Sequence, residues 1–276
     1  MTRVVDAHAI AQELAAAYAN RQVLPVTPSG RDPAFDLAAG YAVETELVKL
    51  RRASGRTTVG RKVGFASKAI WRALKLETLV WAHMYDDTVR YADGNAATIA
   101  VGPMLAPKIE PEIVFRLRRG VPPGLVDPAA VLDAVEWIAL GFEIIDCVFA
   151  DWKFQPADFV AAFGLHAALV VGEPRPIAPH AIPELVDGLS RFTVRLLEGD
   201  RLVAEGSGRN SLRSPALCLG ELTAALSRQP EAAPLCAGEL VSSGTLTESQ
   251  PIAAGQTWAA ACDGIDLPLL VLHTIA

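Results

Sequence analysis

The run Trp137-Ile138-Ala139-Leu140-Gly141-Phe142-Glu143-Ile144-Ile145 constrains the fold of this chain more than any other segment. Its apolar residues do not alternate with polar ones, so it reads as a strand covered on both faces, which requires other layers on either side of its sheet. Glu143 is the one charged residue in it. An unpaired carboxylate in such a place would cost several kcal/mol or stay protonated. A partner arginine, a retained proton or a bound cation would each remove that cost.

A second acidic strand precedes it, Lys108-Ile109-Glu110-Pro111-Glu112-Ile113-Val114-Phe115. Pro111 drives Glu110 into extended backbone, and the period of two then puts Glu110 and Glu112 on one face. Together with Glu143 they would offer a cation oxygen donors without histidine or thiolate, a set that suits Mg²⁺ or Mn²⁺ better than Zn²⁺. The alternative is a half-exposed strand, because the same face runs on through Val114, Arg116 and Arg118, whose guanidinium groups would neutralise the glutamates.

The rest of the composition narrows the class. The 276 residues are 51% hydrophobic and 20% charged, enough for one large core or for a domain with an appendage. Lys+Arg 25 against Asp+Glu 31 leaves a net charge of −6 and no extended basic patch, which argues against nucleic acid as a partner. No apolar stretch approaches the ~20 residues of a membrane span, and the first residues lack an apolar signal core, so a cytoplasmic location is expected. Cys147, Cys218, Cys236 and Cys262 form no C-x-x-C pair and read as small core residues rather than as disulfides or thiolate ligands. His8, His180 and His273 carry no visible chemistry.

Helical periodicity over 6–22 and 35–54 brackets the Pro/Gly-rich turn Leu24-Pro25-Val26-Thr27-Pro28-Ser29-Gly30. From Thr58 the texture changes to short strands, predicted at 59–65, 98–101, 108–117, 137–148, 167–171, 192–198, 239–243 and 267–272. Helices are predicted at 67–74, 128–133, 157–163 and 215–228. The pattern gives an α+β fold, a mixed and largely antiparallel barrel or roll over 58–276 preceded by an N-terminal helical region over 1–57.

Four segments then fall into one order: Gly60-Arg61-Lys62-Val63-Gly64-Phe65-Ala66-Ser67-Lys68; the Glu110-Pro111-Glu112 strand; Phe142-Glu143-Ile144-Ile145-Asp146 with Ala150-Asp151-Trp152-Lys153; and Ser243-Gly244-Thr245-Leu246-Thr247. In that order they resemble the hydratase/decarboxylase branch of the fumarylacetoacetate hydrolase superfamily, which holds the 2-keto-4-pentenoate hydratases and the 2-oxo-3-hexenedioate decarboxylases. The resemblance covers nearly the whole chain. It implies a mixed β-roll, Mg²⁺ or Mn²⁺ on Glu110, Glu112 and Glu143, and a 2-oxo acid substrate of aromatic meta-cleavage catabolism. The family's Lys-hydrophobic-Gly lysine falls on Lys62. Glycines on either side of Lys62 suggest backbone that a ligand approaches closely and an ammonium that is partly desolvated, and the implied role in proton transfer or enolate binding gains rate when its pKa falls toward neutrality. An ordinary surface lysine beside Arg61 is the alternative.

The implied reaction adds water to a 2-hydroxy-2,4-dienoate, giving a 4-hydroxy-2-oxo acid through an enolate. Ser67, Gly244 and Thr245 are candidates for holding the substrate carboxylate, or only for capping a helix and forming a turn. One departure stands out: the family's aspartate before an aromatic-Gly pair is replaced by Val80 in Leu79-Val80-Trp81-Ala82-His83-Met84-Tyr85-Asp86-Asp87. His83, Asp86 and Asp87 are the candidate substitutes, though paired aspartates also cap turns. Decarboxylation of a 2-oxo-3-enedioate is the alternative activity, with Arg72 or Arg209 as candidates for a second carboxylate. C–C hydrolysis lacks a matching His/Glu dyad. A weakly active subunit in complex with a paired hydratase or decarboxylase is the alternative of another class, and self-association into a homo-oligomer is expected.

Overall fold

A computed structural model describes residues 5–229 and 231–276. In chain order the helices are α1 (Ala7–Ala19), α2 (Pro28–Arg31), α3 (Leu37–Ala53), α4 (Lys68–Leu74), α5 (Pro128–Asp133), α6 (Pro156–Ala161), α7 (Ile182–Arg191) and α8 (Pro215–Ser227). The strands are β1 (Thr58–Gly64), β2 (Val80–Tyr85), β3 (Val89–Tyr91), β4 (Ala96–Ala100), β5 (Pro107–Leu117), β6 (Val135–Asp146), β7 (His166–Val171), β8 (Arg175–Pro176), β9 (Thr193–Glu198), β10 (Arg201–Ser207), β11 (Leu240–Ser242), β12 (Gln250–Pro251), β13 (Thr257–Asp263) and β14 (Leu270–Ile275).

They form two mixed sheets, giving the α+β roll that the sequence pattern predicts. The larger runs β2-β1-β11-β5-β6-β7-β3, with β12 on β5 and β8 on β6; the smaller runs β10-β9-β13-β14-β4. Most pairs are antiparallel, while β1 with β11, β3 with β7 and β14 with β4 are parallel. The long strands β5 and β6 lie side by side in the middle of the larger sheet, and Ile109, Ile113, Phe115, Ile138, Phe142 and Ile144 are buried in the main core. That double coverage is what the unbroken apolar run in β6 required.

The N-terminal helices are tied to this core. Ala11 and Leu14 of α1 and Val43 and Leu47 of α3 belong to the same apolar cluster as Val63 and Phe142. Asp6 and Asp36 cap α1 and α3 through their side chains. Tyr18 Oη donates to the Asp146 carbonyl at 2.9 Å, and Leu24 bridges to Phe149.

Several elements lack a local sequence signal. The pattern predicts no strand at β2, although its six residues are all buried or half-buried. β10 and β13 carry short or mixed side chains with little alternation, and α7 begins at a proline-rich stretch that looks like a turn. Among the described residues no helix is long and apolar enough to cross a membrane.

Candidate active site

Register builds the site from five neighbouring strands. Glu110 on β5 stands directly opposite Glu143 on β6, and Glu112 opposite Gly141. Opposed residues in a ladder share a face, so the three carboxylates point the same way, and each offers an oxygen lying within 4.8 Å of the others. Lys62 on β1 reaches the same face beside Ser242 of β11. The face continues into a separate apolar cluster of Met84, Val114, Ala139, Leu169 and Leu240, so the carboxylates border a dry region.

The arginines do not neutralise them. Arg116 turns to Glu136 and Arg118 donates to the carbonyls of Val135 and Ile177. Lys62 takes that part instead: its Nζ stands 3.1 Å from Glu143 Oε2 and donates to the Gly164 carbonyl at 3.0 Å. Glu143 and Lys62 are both buried, at 0% and 2% exposure. The contact with Oε2 has ion-pair distance without hydrogen-bond alignment, and Glu143 Oε2 and Glu112 Oε1 remain buried with no hydrogen-bond partner.

The glycines around Lys62 serve the protein's own packing rather than a ligand's approach. A Cβ on Gly60 would come within 2.0 Å of the Leu240 carbonyl oxygen, and one on Gly64 within 2.5 Å of the Phe159 ring. Gly164, at φ +60°, clears the Lys62 side chain, which a Cβ there would meet at 2.9 Å. Gly244, at φ +85°, presents its N–H to Glu112 Oε2 at 2.9 Å, and Ser242 Oγ donates to the same oxygen. Phe65, Asp151, Trp152, Phe163 and Leu165 also hold φ near +55°, costly for non-glycine residues, and Phe65, Trp152 and Leu165 among them line a cavity beside Lys62 and Glu110.

Electrostatics divide the three acids. Burial pushes Glu110 up to about 7 against the pull of Lys62. Glu112 is raised well above the ordinary carboxylate range by burial and by the charges of Glu143 and Glu110. Burial acts on Glu143 too, but the Lys62 ammonium and His166 outweigh it and hold this carboxyl below its ordinary value. Lys62 is raised, because Glu143, Glu110 and Glu112 together overcome its desolvation. That is opposite to the fall toward neutrality expected from burial alone, and the cause is the concentration of negative charge.

These directions fix a pH dependence. A carboxyl raised from 4.5 to about 7 keeps its proton in the folded state where the unfolded chain has lost it. Stability is therefore fully present at low pH and declines between those values, by about 3 kcal/mol for Glu110 alone. Glu112 acts in the same sense, while the contribution of Glu143 is lost only as pH falls through the carboxylate range. Thermal unfolding of chelator-treated protein is expected at a higher temperature at about pH 5.5 than at about pH 8, and Glu110→Gln should flatten the difference. A melting temperature that rises over this range would contradict the assignment.

His166 was not foreseen. Its Nδ1 lies 2.8 Å from Glu143 Oε1 and its Nε2 2.9 Å from Thr88 Oγ1. Thr88 Oγ1 also donates to the Tyr85 carbonyl, which leaves Nε2 as the donor to Thr88. A bulge in the β6–β7 ladder sets His166 opposite Ile145, on the face of Glu143. Without it, period-two alternation would turn the imidazole to the other face, and no local sequence signal announces the bulge.

The remaining candidates separate. Ser67, Gly244 and Thr245 line a cavity of about 270 Å³ with Lys62 and Glu110. Ser67 stands at the start of α4 without a side-chain capping bond, and Thr245 Oγ1 donates to the Thr247 carbonyl. His83, Asp86 and Asp87 are not in that lining. His83 pairs with Arg61, not Lys62, across the β1–β2 ladder, so its side chain projects from the opposite face, where it contacts the buried Glu44. Asp86 accepts from Thr57 Oγ1 at 3.0 Å, and Asp87 pairs with Arg51 and Arg56, so both secure the turn after β2. Arg72 and Arg209 are outside the lining as well. Val80 is fully buried beside Gly64 on the Lys62 face.

No family model matches the chain. A 4-oxalocrotonate decarboxylase from Pseudomonas putida G7, in complex with magnesium and adipate, superposes with a TM-score of 0.88 over 99% of this chain and 100% of its own, at 22% identity. Among sequences, a 2-hydroxyhexa-2,4-dienoate hydratase from Comamonas testosteroni is 28% identical over 245 residues, 89% of each chain. A 2-keto-4-pentenoate hydratase from Paraburkholderia xenovorans (strain LB400) is 29% identical over 243 residues, 87% of this chain and 86% of its own. The fold is therefore the mixed roll of the fumarylacetoacetate hydrolase class. Within that fold, the chain is similar in sequence to 2-hydroxydienoate and 2-keto-4-pentenoate hydratases and in structure to a 4-oxalocrotonate decarboxylase.

Proposed function

We propose that the chain is a hydratase that adds water to a 2-hydroxy-2,4-dienoate, giving a 4-hydroxy-2-oxo acid, with a divalent cation held by Glu110, Glu112 and Glu143. The observation that carries the reading is the carboxylate set itself: three oxygens within 4.8 Å on one sheet face, with a buried oxygen on Glu112 and another on Glu143 lacking any hydrogen bond. Orphaned oxygens of this kind are costly unless something binds them, and hard donors fit Mg²⁺ or Mn²⁺. Relatives that match nearly end to end bear hydratase names, and the magnesium of the decarboxylase structure supports the choice of metal.

A dication there would supply Lewis-acid polarisation of the substrate's 2-oxo group. The chain's own residues do the rest. Ser242 Oγ and the Gly244 N–H fix Glu112, while His166 and Lys62 fix Glu143, so each of these carboxylates is oriented in advance. Lys62 Nζ, lining the cavity, carries the proton delivered to C3 as the water oxygen adds at C4. The Gly164 carbonyl holds that ammonium in place. Ser67 Oγ and the Thr245 backbone N–H receive the substrate carboxylate, the Thr245 hydroxyl being engaged by the Thr247 carbonyl. The balance is dienol plus water to hydroxy-oxo acid, with the 2-hydroxyl proton transferred to C5 on ketonisation.

The direct test is the fall in ultraviolet absorbance of 2-hydroxypenta-2,4-dienoate as water adds, in Mg²⁺ and after EDTA. Loss of absorbance that EDTA abolishes is the expected result. Release of CO₂ from 2-oxohex-3-enedioate, without hydration of the smaller substrate, would mean a decarboxylase instead. Inactivity on both, with tight binding to a second enzyme, would mean a partner subunit.

A further inference from the structure

The cavity has a composition that the proposed chemistry at the carboxylates does not require. Beside Lys62 and Glu110 it is lined by the rings of Phe65, Trp152, Phe154 and Phe159. These rings touch in series: Phe65 to Phe159 at 4.8 Å between centroids, Phe159 to Phe154 at 6.1 Å, and Phe154 to Trp152 at 6.5 Å. The series begins at the chemistry, since Lys62 Nζ lies 4.9 Å from the Phe159 centroid. Phe65, Trp152 and Phe154 are only half-buried, so apolar surface is left for something to cover. Phe65 and Trp152 are both held at φ +55°.

Charge points the same way. Among the described residues of the lining, Lys62 is the sole cation, and its ammonium is already engaged by Glu143 and the Gly164 carbonyl. Lys108 stacks on the Trp152 ring at 3.9 Å and is not part of the lining. A second substrate carboxylate would thus be desolvated against ring faces whose quadrupole is negative, with the Ser249 hydroxyl and the Asn210 amide in the lining but no free cation to meet it. A flat apolar group meets the opposite situation. An apolar cavity of ~150 Å³ suffices for a benzene ring, and this one, at about 270 Å³, has room for a ring and a 2-oxo acid head.

We propose that the ring series Phe65, Phe159, Phe154 and Trp152 is a tail-binding wall, so that this chain selects 2-oxo acids with one carboxylate and a bulky, flat, apolar tail of aryl type. The inference rests on the proposed function for the placement of the 2-oxo acid head at the carboxylates. It adds the identity of the other end.

Binding of unreactive 2-oxo acids separates the two. The Mg²⁺-loaded protein would be titrated calorimetrically with pyruvate, 2-oxopentanoate, 4-phenyl-2-oxobutanoate and 2-oxoadipate, none of which has an alkene to hydrate. The phenyl compound is expected to bind about tenfold or more tighter than 2-oxopentanoate, and 2-oxoadipate more weakly than either. Phe154→Leu should shrink the ratio of phenyl-compound to pyruvate affinity, and Phe154→Arg should shift preference toward 2-oxoadipate. Equal or tighter binding of 2-oxoadipate by the unaltered protein overturns the proposal, as does a phenyl preference that survives both substitutions. If pyruvate binds and the tail makes no difference, only the wall is wrong. If no 2-oxo acid binds with Mg²⁺ present, the placement of the head fails and the proposal with it.

Discussion

Glu143→Gln is expected to lower turnover of 2-hydroxypenta-2,4-dienoate by about 10³-fold or more, the rate equivalent of several kcal/mol of lost charge stabilisation. The amide keeps the volume of the carboxylate but removes the charge that faces Lys62 at 3.1 Å and His166 at 2.8 Å. Both basic groups would then be buried with a neutral neighbour, and removing one partner of such a set typically costs ~3–5 kcal/mol. Two measurements should therefore move together: calorimetric affinity for Mg²⁺ falls sharply, and the metal-free variant melts earlier than the unaltered protein. Intact metal affinity and intact activity would exclude Glu143 as a ligand. Loss of stability with metal affinity preserved would make it a structural counter-ion of Lys62.

The features legible in the sequence are those that local rules write down. Period two in β5 places Glu110 and Glu112 on one face, and the unbroken apolar run in β6 marks Glu143 as an acid in need of a partner. Both predictions needed only a few neighbouring residues. What could not be read depends on register between distant segments. His166 joins Glu143 through a bulge, and the same strand without it would point the imidazole away. His83 is a candidate by sequence position, three residues after Val80, yet pairing with Arg61 turns it to the far face. Gly60 and Gly64 were correctly marked as close approaches but attributed to a ligand; the close neighbours are Leu240 and Phe159, which are remote in sequence.

Register and burial also account for the missing acid. Val80 shares the Lys62 face but is completely buried, and its Cγ2 lies 3.2 Å from where a Cβ on Gly64 would stand. An aspartate there would be enclosed beside Phe159, with its desolvation uncompensated unless Lys62 turned to meet it. In this chain the position belongs to the wall behind the lysine. Val80→Asp is accordingly expected to lower the melting temperature without raising hydration of simple dienoates; faster hydration would show instead that the site has kept room for a second proton carrier.

Lys62→Ala is the substitution on which the proposed proton transfer depends. A lost acid–base group costs on the order of 10²–10⁴-fold in turnover, and Lys62 is the sole described cation in the cavity lining. Metal affinity should go the other way. The ammonium competes with any dication for the field of Glu110, Glu112 and Glu143, which together raise its own pKa, so its removal leaves three carboxylates with less positive charge nearby. The variant is expected to bind Mg²⁺ at least as tightly as the unaltered protein while turning over slowly, and a small primary amine that fits the vacated volume should restore part of the rate. A parallel loss of metal affinity and turnover, with no response to amine, would mean that Lys62 only holds Glu143 in position and that another group carries the proton.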